Sequence, residues 1–279
     1  MTGDPRTTEI ASGAARLVCE VAGEGTTVVL AHAGIADARM WDPLMPVLAA
    51  GHRVIRYDLR GYGRSPLPPG AFSHADDLAA VVTGLADGPV HLIGASLGGR
   101  VCLDLALARP ELVRSLVLLG AVVSGFDPDT EPPPGWDEVV AADRADDLDA
   151  LADAEARMWL ADPTGTRLRS GVLELVRVMN RTALRNERSG TGTERAPDPP
   201  AVDRLGELDL PVLVLVGSLD LPDIGITAAL LAERVRGAEH VVVDGAAHLP
   251  TLERPAEVGA VLRRFLARAE EVPTATDAG

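Results

Sequence analysis

Lysine is missing from this chain: all 26 basic residues among its 279 are arginine. Without a side-chain amine there is no route to Schiff-base chemistry. Cysteine is nearly missing. Cys19 and Cys102 lie in apolar stretches and read as buried thiols in a reducing compartment, not as a disulfide. No Cys/His group has the spacing of a zinc site, so neither metal nor cofactor is expected. No apolar run approaches the roughly 20 residues that cross a bilayer. The opening MTGDPRTTEI has neither the basic nor the apolar part of a signal peptide. The expectation is a cytoplasmic protein with no membrane partner. Positive charge is also short. Against 41 acidic residues the net charge is −15, and such a surface repels phosphate backbones, which argues against a nucleic-acid partner. Large aromatics make up only 3% of the chain, so one placed near a site carries weight.

Short runs rich in β-branched residues are present instead. They are TTVVLAHA from Thr26, HRVIRYDL from His52, PVHLIGA from Pro89, VRSLVLLG from Val113, PVLVLVG from Pro211 and AEHVVVDG from Ala238. Near-continuous apolar runs of this length read as strands buried on both faces. Helix patterns separate most of them, over 73–86, 97–109, 224–236 and 253–269, the first opened by Ser73 in N-cap position. An earlier stretch, 14–22, reads as a strand that pairs antiparallel. The alternation predicts an α/β fold with a mostly parallel central sheet flanked by helices. Between about 121 and 210 the rhythm breaks into DPDTEPPPGW, an acidic helical stretch over 137–160, a second over 167–185 and a polar loop. Proline and glycine punctuate both ends. The expectation is a core of 1–120 and 211–279, with a helical cap, 121–210, inserted after the sixth strand. No internal repeat is visible.

The stretch HLIGASLGGRVCLDLALARP, from His91 to Pro110, ends a buried strand in a glycine-bracketed serine and passes into a helix. Glycines at 94 and 98 allow the close strand–helix approach of a tight turn, and Gly99 relieves helix–sheet packing. Ser96 is thereby lifted to the carboxyl edge of the sheet, where open α/β sheets bind ligands. A glycine-rich turn with an incidental serine is the bland alternative. A serine hydroxyl needs a base, and the base an orienting acid. His248 follows the strand HVVVDG at its carboxyl end, in GAAHLPTLERP, at the same sheet edge as Ser96, and is the preferred base, whereas His91, His240 and His52 lie near strand starts and His74 at a helix start. Asp220, after PVLVLVG, is the preferred acid, and the spacing alone leaves Asp223 open. Two amides should hold an oxyanion: that of Leu97, and that of Gly34 or, next, Ala33.

These stretches, with LAHAGIADARMWDPLMPVLAAGHRVIRYDLRGYGRSPLP, resemble the α/β-hydrolase superfamily over nearly the whole chain. MWDP and YDLRGYGRS make the chain most similar to the 3-oxoadipate enol-lactonase-like serine hydrolases. The resemblance implies that Ser96, Asp220 and His248 match the triad and that Gly34 and Leu97 match the oxyanion hole. The expected function is hydrolysis of a small ester or lactone through an acyl-enzyme. The alternatives are the same triad acting on a C–C bond, thioester or peracid, or a non-catalytic receptor on the same fold. The small-molecule pocket is expected to draw on Ile35, Met40, Leu97, Trp136, Met158, Trp159, Met179 and Leu249, with Trp159 the strongest of them. Arg39, Arg157 or Arg181 would bind a substrate carboxylate.

Overall fold

A computed structural model of the chain describes residues 5–272, apart from 163, 165 and 169. Its strands are β1 (Arg6–Ser12), β2 (Ala15–Ala22), β3 (Thr27–Ala31), β4 (Arg53–Tyr57), β5 (Gly70–Phe72), β6 (Val90–Ala95), β7 (Val113–Leu119), β8 (Gly192–Glu194), β9 (Val212–Gly217) and β10 (Glu239–Val243). Eight of them form one sheet in the order β1-β2-β4-β3-β6-β7-β9-β10. From β4 to β10 every pairing is parallel, while β2 runs antiparallel to both β1 and β4. β3, β6 and β9 are buried at every residue, which is why they show as unbroken apolar runs. β5 and β8 make a separate two-stranded sheet.

The helices are α1 (Met45–Leu48), α2 (His74–Leu85), α3 (Leu97–Ala108), α4 (Trp136–Arg144), α5 (Leu148–Trp159), α6 (Ser170–Ser189), α7 (Pro222–Arg234), α8 (Pro250–Glu253) and α9 (Pro255–Glu271). Ser73 caps α2 by accepting the amide of Asp76. The sheet has an apolar cluster on each face, one including Cys102, Leu105 and Leu231, the other Trp41, Leu44 and Phe265.

The structure adds α1 and β5, splits the helix read over 253–269 into α8 and α9, and departs from the sequence reading elsewhere too. β1 lies ahead of the antiparallel strand that the pattern identifies. The acidic stretch 137–160 is two helices, because Asp146 takes a positive φ of 53° and Asp147 then caps α5 by accepting the amides of Asp149 and Ala150. α6 runs on to Ser189 and is followed by β8, through what reads as a polar loop. The segment between β7 and β9 is not closed on itself: Ala156, Leu160, Val176 and Met179 join the sheet's own apolar cluster.

Candidate active site

Parallel register lays the strand ends side by side. Ala31 pairs with Gly94, Ala95 with Leu119, Leu119 with Leu215, and Val243 with Gly217. The loops after β3, β6, β7, β9 and β10 therefore open on one edge. At the centre Ser96 has φ 51° and ψ −114°, a conformation that a side-chain-bearing residue adopts only under constraint. Two close approaches hold it there. A Cβ on Gly94 would lie 2.2 Å from the carbonyl oxygen of Gly98, and one on Gly98 would lie 2.2 Å from that of Ala31. Neither position can carry a side chain. The Ser96 amide donates to the Leu119 carbonyl (2.9 Å), its side chain does not cap α3, and the residue is half-buried at the helix N-terminus.

His248 Nδ1 lies 2.9 Å and 3.1 Å from the two carboxylate oxygens of Asp220. The pair is withdrawn from solvent, with side chains 2% and 1% exposed. A carboxylate only accepts, so Nδ1 carries the hydrogen and Nε2 is left as the proton acceptor. Asp220 is turned into place by the amide of Leu221, which donates to Oδ1 (2.8 Å). Asp223 starts α7 and has no bond to the imidazole. A Cβ on Gly120 would lie 3.2 Å from Asp220 Oδ2 and 3.4 Å from His248 Nδ1, so the pair sits over the residue that follows Leu119, the backbone partner of Ser96. No hydrogen bond joins the Ser96 hydroxyl to the ring among the described residues.

Glu253 is a residue that sequence reasoning does not single out. Its fully buried carboxylate accepts the amides of Ala247 (3.0 Å) and Leu249 (3.1 Å), on either side of His248, and pairs with Arg167 at 2.9 Å. The sequence signal is there in retrospect: an acid five residues after the histidine, on a one-turn helix opened by Pro250.

The loop after β3 is also braced from within. His32 is fully buried, with Nδ1 2.8 Å from the Ala33 carbonyl and Nε2 accepting the Leu59 amide at 2.9 Å. Those bonds fix the neutral tautomer, and burial depresses its pKa. The Ala33 amide is taken by Met40 Sδ at 3.3 Å, which gives this methionine a role beneath the loop. Among the described residues the amides of Gly34 and Leu97 have no hydrogen-bond partner. The Leu97 side chain lies against Gly34.

Of the remaining pocket candidates, Trp159 stacks on His248, with ring centroids 4.4 Å apart, and its carbonyl accepts the His248 amide at 3.3 Å. Ile35 is buried in the same loop as Gly34, and Leu249 is buried beside the histidine. Trp136 is exposed at the start of α4. Met158 packs with Val139, Leu151 and Ala154 between the inserted helices, and Met179 belongs to the core. Met179 shares that cluster with Ile35 and Leu249. Each candidate arginine is engaged elsewhere: Arg39 with Asp37, Arg157 with Glu138 and Asp153, Arg181 with Asp149. No cluster of three or more potential metal ligands occurs among the described residues, and no described helix is long and apolar enough to cross a membrane.

Comparison with known proteins agrees with this architecture. A family model described as the alpha/beta hydrolase fold matches residues 26–255. The chain is 32% identical to a pimeloyl-[acyl-carrier protein] methyl ester esterase of Neisseria meningitidis serogroup B, over 86% of this chain and 92% of that one. Among solved structures it is similar to Est816, described as an N-acyl homoserine lactone degrading enzyme, with a TM-score of 0.74 and 26% identity over 92% of this chain and 100% of the other. It also shares its fold with the enol-lactonase of Burkholderia xenovorans LB400, at a TM-score of 0.77 and 23% identity over 93% of this chain and 100% of the other. The chain belongs to the α/β-hydrolase family and is a hydrolytic enzyme.

Proposed function

We propose that this enzyme hydrolyses a carboxylic ester or lactone of a small organic molecule through Ser96, His248 and Asp220. The observation that carries the reading is the buried Asp220–His248 pair, aligned at Nδ1 and set over the backbone neighbour of a strained, half-buried serine. His248 Nε2 takes the Ser96 proton as the hydroxyl attacks the carbonyl. The oxyanion is held by the amides of Leu97 and Gly34, neither of which has another partner among the described residues. The alkoxide leaves with the proton from His248. Water, activated by the same nitrogen, then hydrolyses the acyl-enzyme, while Asp220 stabilises the transient imidazolium. In this reading residues 121–210 act as a cap over a core of 1–120 and 211–279, and Trp159, Ile35 and Leu249 are pocket walls. The relatives named for methyl ester and lactone cleavage favour an oxygen ester as the scissile bond.

The test is covalent labelling with a fluorophosphonate, located by peptide mass spectrometry, beside turnover of a panel of aryl esters and lactones. Ser96 should carry the label, and Ser96→Ala should lose at least about 10³-fold in turnover while remaining folded. A label on another serine, with Ser96 untouched, would end the assignment.

A further inference from the structure

Tyr62 was not among the residues that the motif pattern points to, yet it stands beside the proposed oxyanion donors. Its phenol oxygen lies 3.8 Å from the point where a Cβ on Gly34 would be, and that same point is 3.6 Å from Leu97 Cδ2. Tyr62, Gly34 and Leu97 thus share one corner of the site. Among the described residues the phenol has no hydrogen-bond partner. Glu187, Glu194 and Glu155 are near enough to act on it electrostatically, but none bonds to it. A largely buried phenol ordinarily finds an acceptor. The Tyr62 hydroxyl is not one of the sealed, unpartnered atoms of the interior, so a group entering the site can reach it as acceptor.

The phenol is also held rigidly. The Tyr62 amide donates to the Leu59 carbonyl, and its own carbonyl accepts the Ser65 amide, both at 2.9 Å. Gly63 follows with φ +49°, and a Cβ there would lie 2.5 Å from the Asp58 carboxyl carbon. The Asp58 carboxylate in turn accepts the amides of Ala38 and Arg64, each at 3.0 Å. The ring edge packs on His32 at a centroid distance of 5.2 Å, and His32 bonds both the Ala33 carbonyl and the Leu59 amide. One histidine therefore braces the loop that carries Gly34 and the turn that carries Tyr62. Preorganised donors of this kind lower a barrier because they need no rearrangement as charge develops. Burial, then the three glutamates, raise the phenol to about 12, so it stays protonated and able to donate across the working pH range.

We propose that Tyr62 is a third oxyanion donor, its phenol O–H bonding the oxygen that the Gly34 and Leu97 amides hold. The inference rests on Ser96 acting as the nucleophile. The experiment compares wild type with Tyr62→Phe, which keeps the ring and its packing. An aryl acetate supplies kcat and KM. A trifluoromethyl ketone, which adds Ser96 to give a tetrahedral oxyanion, supplies an inhibition constant. Fluorophosphonate labelling of Ser96 and thermal melting are checked in both. The expected result is a fall in kcat of roughly 10- to 100-fold, KM within about twofold, and weakening of the ketone by the same factor, with the melting temperature held. A kcat within about twofold of wild type overturns the proposal. So does a loss confined to KM with the ketone unaffected, because the phenol would then touch only the ground state. If Ser96 resists labelling in wild type, the nucleophile assignment has failed instead, and the two failures are distinct.

Discussion

The loops at the carboxyl edge of the sheet and the helices inserted above them handle charge in opposite ways. At the edge, several charged side chains are buried against fixed partners. Asp220 holds His248. Asp58 gathers the turn after β4. Arg60 forks onto Asp77 at 2.8 Å and 2.6 Å, with side chains 6% and 1% exposed. In the inserted segment the pairs lie in solvent. Arg181–Asp149 is 47% and 65% exposed, and Arg177–Glu174 and Arg188–Asp143 resemble it. A buried pair fixes geometry, and losing one partner strands a charge in low dielectric. A solvated pair is screened and worth little. The proposed site therefore rests on buried, paired groups, while several pairs of the segment between β7 and β9 can change at small cost.

The sharpest way to break this contrast is at Asp220. Asp220→Asn leaves the shape but no longer favours the Nδ1–H tautomer or stabilises the imidazolium. Turnover should fall by roughly 10³- to 10⁴-fold, read by steady-state kinetics on an aryl ester. Asp223→Asn, three residues away with no bond to the ring, should stay within about twofold. The opposite ranking would hand the acid's role to Asp223.

A stability measurement separates the two kinds of pair directly. Arg60→Ala strands Asp77 in the interior and removes the guanidinium from the face of Phe72, 4.7 Å away. The expected cost is about 3–5 kcal/mol by denaturant titration. Arg181→Ala, in the inserted helices, should cost under about 1 kcal/mol. Similar losses for the two would mean that burial is not what distinguishes the regions.

Much of the edge can be read from the amino-acid pattern because the relevant forces are local. Buried parallel strands show as apolar runs, the elbow glycines bracket the serine two residues to either side, and each strand end announces a loop. What escapes the pattern depends on distant partners. β1 has the sequence RTTEIAS, partly exposed along its length, so no hydrophobic face marks it; its pairing with β2 is what makes it a strand. The break within 137–160 turns on a single cap at Asp147, in a stretch whose acidic residues are compatible with one continuous helix. Tyr62 reads as a turn residue between glycines, and only the fold brings its phenol to Gly34. Glu253 likewise acquires meaning from the amides of Ala247 and Leu249, whose orientation no spacing rule supplies. Met158 and Trp136 show the converse: a large side chain in the inserted segment has as much apolar surface to cover among its own helices as over the sheet edge.

The smallest expected effect sharpens the contrast through protons. Burial lowers His74 and His91 to about 4. The folded protein therefore keeps both neutral at pH values where the unfolded chain, titrating near about 6.5, has bound protons. From pH 6.5 toward 4 the unfolded state holds more protons, so stability falls as pH falls, by up to about 1.4 kcal/mol per pH unit for each group. Asp104 opposes this. Its carboxyl is raised to about 6, chiefly by burial, so the folded state retains a proton that the unfolded state releases, and its contribution grows as pH drops through 6. Glu155, also raised by burial, sides with Asp104, but His32, depressed like the other two histidines, and the lowered carboxyls Glu20 and Asp37 add to the loss, so acidification destabilises on balance. His91 is the cleaner probe. Its Nδ1 is bonded to Ser115 Oγ at 2.8 Å, and the groups facing it are the His52 ring, Glu270 at 3.9 Å and Arg114. Unfolding free energies of wild type and His91→Gln, taken between pH 7 and 5.5 to stay clear of the isoelectric region, should both decline, with the variant's slope shallower by up to one proton. The slope is the readout, so the variant's own baseline stability does not enter. Parallel slopes would show that His91 exchanges protons equally in the folded and unfolded chains, and that burial at this end of the sheet does not hold the ring neutral.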